Sequence, residues 1–139
     1  MASLFLIGRI LVGCYYLSGA FNHFANHHAM ARYTAMHGVP APELAVLVAG
    51  VLLAIAGITL LVGVSPEIGV AALILFLVPV TLVMHAFWRD VDPGMRQIDV
   101  IQFGKNIGLL GSALMFLAVP RPWPFSLARR LRLPARAHA

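Results

Sequence analysis

Charge is what this chain of 139 residues has least of: 11% of it is Asp, Glu, Lys or Arg, with five acids in all, against 60% hydrophobic residues and a mean hydropathy of +0.88. A soluble domain carries about a quarter of its residues charged, so that class is excluded. Cysteine is nearly absent: with Cys14 alone, no intrachain disulfide or Cys-x-x-Cys pair can form, which removes thiol-exchange chemistry. Strict apolar and polar alternation is missing too, and with it the transmembrane β-barrel. No internal repeat or low-complexity tract occurs. No basic residue precedes the first apolar run, which Arg9 interrupts and Ser18, Asn22 and His23 follow, so a cleaved signal peptide is not expected.

Long apolar runs are what the chain does have. Crossing the hydrocarbon takes about 20 apolar residues, and four such runs are present, at Leu4–Phe24, Glu43–Gly63, Glu67–Trp88 and Ile98–Val119. They predict an all-α integral membrane bundle of four transmembrane helices, a single domain over 1–119 with a basic tail over 120–139. That tail holds Arg121, Arg129, Arg130, Arg132 and Arg136 and no acid, which marks the cytoplasmic side; an even number of spans puts the N-terminus there as well. The sequence pI near 10.4 reports mainly this segment. Without a recognition motif its partner is anionic lipid, not nucleic acid.

Connections follow from the same reading. A tight VSPE turn at Val64–Glu67 joins spans two and three, with Pro66 in the first helical turn. On the outer side, Ala29–His37 is expected as a short surface helix stopped by Gly38, and RDVDPGMRQ as a polar turn built on Pro93-Gly94. Trp88 and Trp123 have the positions of interfacial aromatics.

The outer ends of spans one, three and four hold most of the polar residues. Span one ends with Ser18, Asn22 and His23, span three with Thr81 and His85, and span four opens with Asp99, Gln102, Lys105 and Asn106. A Lys at the centre of a membrane helix costs ~2.5–3.5 kcal/mol on insertion scales, so an ionisable group there is a functional-site hypothesis by default. On a helical wheel Asp99, Gln102, Lys105 and Asn106 share one arc, opposite Gly104, Gly108 and Gly111, and Gly104-x-x-x-Gly108 reads as a packing face against a neighbouring helix. Arg9, Tyr16 and His23 at heptad spacing, with Gly13 and Ala20 between, describe an inward seam; Arg9 is expected to snorkel or pair with Glu67. Pro79 leaves the carbonyl of Leu75 without its usual donor and is expected to kink span three below His85.

The histidines suggest a metal only weakly. His23 and His27 lie at i, i+4 with His28 adjacent, and His85 could join them, yet there is no His-Glu-x-x-His motif, no thiolate and no obvious carboxylate companion in the stretch. They read as hydrogen-bonded interfacial histidines, and no metal is assigned.

GRILVGCYYLSGAFNHF, YTAMHGVP, AGVLLAIAG, LVPVTLVMHAFW and above all QFGKNIGLLGSALM make the chain similar to the DoxX family of small four-helix membrane proteins. The last block resembles that family's Q-x-x-x-K-N-x-x-L-x-G pattern. The resemblance implies a multi-pass protein of the bacterial inner (cytoplasmic) membrane, with redox association in some relatives. Many relatives carry a Glu in span two where this chain has Leu53, which puts any chemistry of that Glu in doubt here. Two readings follow: a redox-associated subunit binding a quinone or similar amphipathic ligand through His85, Lys105, Gln102, Asn106, Asn22, His23 and Asp99, or a non-catalytic subunit docked on membrane protein partners or on copies of itself. Whether the chain is an enzyme is left open. The polar residues can alternatively bond one another and lock the helices together.

Overall fold

The computed structural model describes residues 1–130, and among these the regular elements are all helices. They are α1 (Ala2–Ala25), α2 (His27–Met36), α3 (Pro42–Val62), α4 (Pro66–Val83), α5 (Pro93–Met115) and the short α6 (Leu127–Arg130), with 3-10 turns at Phe87–Arg89 and Phe116–Ala118. Four segments, α1, α3, Pro66–Arg89 and Pro93–Ala118, are long and apolar enough to cross a membrane. The expected short surface helix starts at His27, two residues before Ala29, and Gly38 follows its end at φ +74°.

The helices are laid side by side in the order α1, α3, α4, α5, with α2 across the end of α3; α1 and α5, at the two edges, do not pack along each other. Glycine sets the closest crossing. A Cβ on Gly57 would stand 3.0 Å from the Gly13 carbonyl oxygen and 2.7 Å from Leu17 Cγ, so only hydrogen fits where α1 meets α3. The buried face of α1 is Arg9, Gly13, Tyr16 and Ala20, the expected seam.

Four expectations are corrected. The last span begins at Pro93, five residues early, because Asp92 caps it, accepting from Met95 N at 2.8 Å, and Pro93 takes the first helical position; Pro93-Gly94 is a helix start, not a turn. Arg9 neither snorkels nor pairs with Glu67. It is buried at 1% exposure and donates to the carbonyls of Leu60 (3.0 Å), Leu61 (2.8 Å) and Pro124 (2.8 Å), while Glu67 pairs with Arg121 at 2.6 Å. Trp123 is not interfacial: it is buried against Phe5, Phe116 and the Arg9 guanidinium, closing α1 onto the end of the last span. Gly104, Gly108 and Gly111 face no neighbouring helix, since a Cβ on each would meet nothing within 4 Å. Arg132 and Arg136 of the expected basic tail lie outside the described residues.

Candidate functional site

Where the two edge helices separate, a cavity of about 780 Å³ lies between them, walled by residues of α1, α2, α3, α4 and α5. Its walls are mainly apolar, with Leu52, Leu53, Phe76, Val80 and Leu109 among them, and Tyr16 and Tyr33 supply aromatic surface. The polar residues gather in the same space: Asn22 and His23 from α1, His85 from beyond the end of α4, and Gln102, Lys105 and Asn106 from α5. Six of the seven expected site residues therefore share one cavity. Asp99, the seventh, stands behind His85. Thr81, grouped with them in the sequence, is buried in α4 and donates to the Leu77 carbonyl at 2.5 Å instead.

Local structure explains each placement. On α5, Asp99, Gln102 and Asn106 follow i, i+3, i+7 spacing on one face, with Asp99 and Asn106 buried. Lys105 is the exposed neighbour, and its ammonium reaches back one turn to Gln102 Oε1 at 2.5 Å. α4 stops at Val83, four residues after Pro79, so His85 sits in an irregular segment and its ring turns toward α5. There Nδ1 meets Asp99 Oδ1 at 3.1 Å. A carboxylate at that nitrogen keeps the proton on Nδ1 and leaves Nε2 as the nitrogen available to a ligand. His23 Nδ1 donates to the Gly19 carbonyl at 2.8 Å, and the Asn22 side-chain oxygen accepts from Asn26 at 2.6 Å.

Asp99 also lines a second, smaller cavity of about 440 Å³, together with His37, Arg89 and Asp90. Asp90 carries a buried carboxyl oxygen, Oδ2, without a donor. Burial, then the Asp99 carboxylate beside it, push the Asp90 carboxyl above its usual range, with His37 and Arg96 acting the other way. Burial and the same two carboxylates push the Tyr33 hydroxyl up, so Tyr33 stays a protonated donor. The chain His85, Asp99, Asp90 thus links the large cavity to the small one. Sequence reasoning missed Asp90, which sits in a loop with no periodicity to place it, and Tyr33, which α2 carries across to the cavity wall.

The weak metal candidates do not come together: His23 bonds Gly19, His85 bonds Asp99, and His27 Nε2 meets the Glu43 carbonyl oxygen at 3.0 Å. The carboxylate companion not found nearby in sequence is Glu43, brought in by the start of α3. Leu53, in the place of the relatives' Glu, is buried on the cavity wall.

An all-helical membrane-spanning chain with this placement of a polar-ended cavity defines a class of small multi-pass proteins. The DoxX family profile matches residues 4–86, more than half of the chain, and the chain belongs to that family. The match ends before the QFGKNIGLLGSALM block of α5. The chain is also similar to the inner membrane protein YphA of Escherichia coli (strain K12), at 28% identity over 127 residues, covering 91% of this chain and 89% of the relative. No solved structure matches.

Proposed function

We propose that the protein binds a quinone or similar amphipathic ligand in the cavity between α1 and α5, as a redox-associated component of the bacterial inner membrane. The observation that carries this reading is the cavity itself: about 780 Å³, apolar over most of its wall, and ending on His85, Gln102, Lys105 and Asn106. That volume lies within the range of small-molecule sites, which combine apolar walls with a few converging polar groups. The gap between the edge helices admits a ligand sideways from the lipid, as a molecule with an isoprenoid tail requires.

In this reading the Lys105 ammonium donates to one ligand oxygen, His85 Nε2 faces the hydroxyl of the reduced ligand, and Gln102 and Asn106 orient it. Asp99 holds the His85 ring. When the ligand releases a proton, His85 Nε2 accepts it, and Asp99 and Asp90 conduct it toward the small cavity. The Arg-rich segment after α5 favours a cytoplasmic position for the opposite end of the bundle, and on that reading the relay opens outward.

The test is binding of decylubiquinone to detergent-purified protein. Lys105→Met and His85→Ala are each expected to weaken binding about tenfold, equivalent to about 1.4 kcal/mol, with the thermal transition retained. Unchanged affinity in both variants refutes the assignment. Asn106→Leu separates ligand binding from helix locking: loss of folding assigns the polar arc to holding the helices.

One observation favours the second reading, a non-catalytic subunit docked on a membrane protein partner or on its own copy: the Gly104, Gly108, Gly111 face of α5 is open to the lipid side. Purification in mild detergent as a lone monomer counts against it.

A further inference from the structure

We propose that His27, His28 and Glu43 form a zinc site on the outer corner of the molecule, clamping α2 to the start of α3. α1 ends at Ala25, and His27 and His28 are the first two residues of α2; Glu43 is the second residue of α3, after the left-handed Ala41 and Pro42. The turn between α2 and α3 thereby brings together groups 16 residues apart.

The tautomer of His27 carries the argument. Its Nε2 lies 3.0 Å from the Glu43 carbonyl oxygen, which can only accept, so Nε2 bears the proton. In the neutral ring Nδ1 then presents a lone pair, and it faces Glu43 Oε2 at 3.9 Å; His28 Nδ1 faces Oε1 of the same carboxylate at 3.6 Å. The two imidazoles thus converge on one carboxylate, an arrangement that a divalent cation can bridge. A metal ion leaves both rings neutral, and the Glu43 carboxylate offsets its charge.

The three ligand atoms all lie within 4.8 Å of one another. Zinc bonds of about 2.0–2.2 Å in a tetrahedron require ligand separations near 3.3 Å. The contraction falls on the two exposed side chains, His28 and Glu43, at 79% and 62%, whereas His27, at 16%, is the anchored ligand. A backbone carbonyl holding the far nitrogen of a ligating histidine is the usual outer-shell support of such a site. Two imidazoles and one carboxylate suit zinc, with a water in the fourth position. Because α2 also supplies Met30, Tyr33 and Thr34 to the large cavity, the bound ion sets how firmly that wall is held.

The experiment is isothermal titration of zinc chloride into tag-free, chelator-stripped protein in detergent, followed by thermal unfolding. One zinc per chain is expected, with a raised melting temperature. His28→Ala and Glu43→Gln, both at exposed positions, should each weaken binding at least about tenfold, and His23→Ala should leave it unchanged. Failure to saturate at one equivalent overturns the proposal, as does zinc binding that survives His28→Ala combined with Glu43→Gln. Neither outcome bears on quinone binding, which is read separately.

Discussion

Replacing Arg9 with Met tests the most deeply buried charge in the described chain. The guanidinium donates to three carbonyls, two of them, Leu60 and Leu61, in the last turn of α3, where a helix has no internal donors left to offer. The third, on Pro124, ties the segment after α5 to α1, and Trp123 covers the guanidinium at 5.3 Å. Among the described residues no carboxylate pairs with it, so the carbonyl dipoles and the ring faces of Phe5 and Trp123 offset its burial. Met fills similar volume and donates nothing. Each orphaned carbonyl costs ~1–3 kcal/mol, or about 3–9 kcal/mol for three, and removing a buried charge returns several kcal/mol. A net loss of about 3 kcal/mol follows, lowering the melting temperature in detergent by about 10 °C. Arg9→Lys should fall between, since a point ammonium cannot reproduce the planar fork or its stacking on Trp123. The assay is thermal unfolding followed by circular dichroism. A melting temperature for Arg9→Met within about 2 °C of wild type would refute the view that these bonds hold the closed end together.

Two further perturbations probe the loop after α4 and the helix crossing. Asp90 has a carboxyl raised above its unfolded value, so its ionisation works against the fold: stability is greatest at low pH and is lost as pH rises through the folded value. Asp90→Asn should therefore raise the melting temperature near neutral pH and flatten its pH dependence above about pH 4; an unchanged slope contradicts a raised Asp90 carboxyl. Gly57→Ala places a methyl 2.7 Å from Leu17 Cγ and should cost ~1–3 kcal/mol in unfolding experiments. Gly108→Ala meets nothing and should be neutral or stabilising by up to ~1 kcal/mol in the isolated protein; a large loss there would mean that α5 packs on another chain.

Much of the site was legible because polar residues in an apolar chain are few. Asn22, His23, His85, Gln102, Lys105 and Asn106 stand out against the hydrocarbon background, and the ends of the spans bring them to one level, where one cavity collects them. What stayed illegible depended on loops and side-chain reach. Arg9 could have met Glu67 by level alone, but Arg121 reaches that acid first and the α3 carbonyls take Arg9. The same holds for Asp90 and Glu43: each gains its meaning from a partner that a turn delivers.

Hydropathy and length by themselves dictate four spanning helices, because backbone groups in lipid must be satisfied within each segment and no other element does so. Caps set their ends, Gly63 after α3 and Asp92 before α5, the second in a stretch that reads from sequence as a turn. The order of the helices was a matter for packing alone. Inside a membrane every apolar face is equally acceptable to lipid, so contact is decided by shape: Gly13 against Gly57 brings α1 onto α3, while the open glycines of α5 leave it at the far edge. The cavity is the space that arrangement leaves, and it joins His85 to Asp99 and to the solvent-side acid beyond.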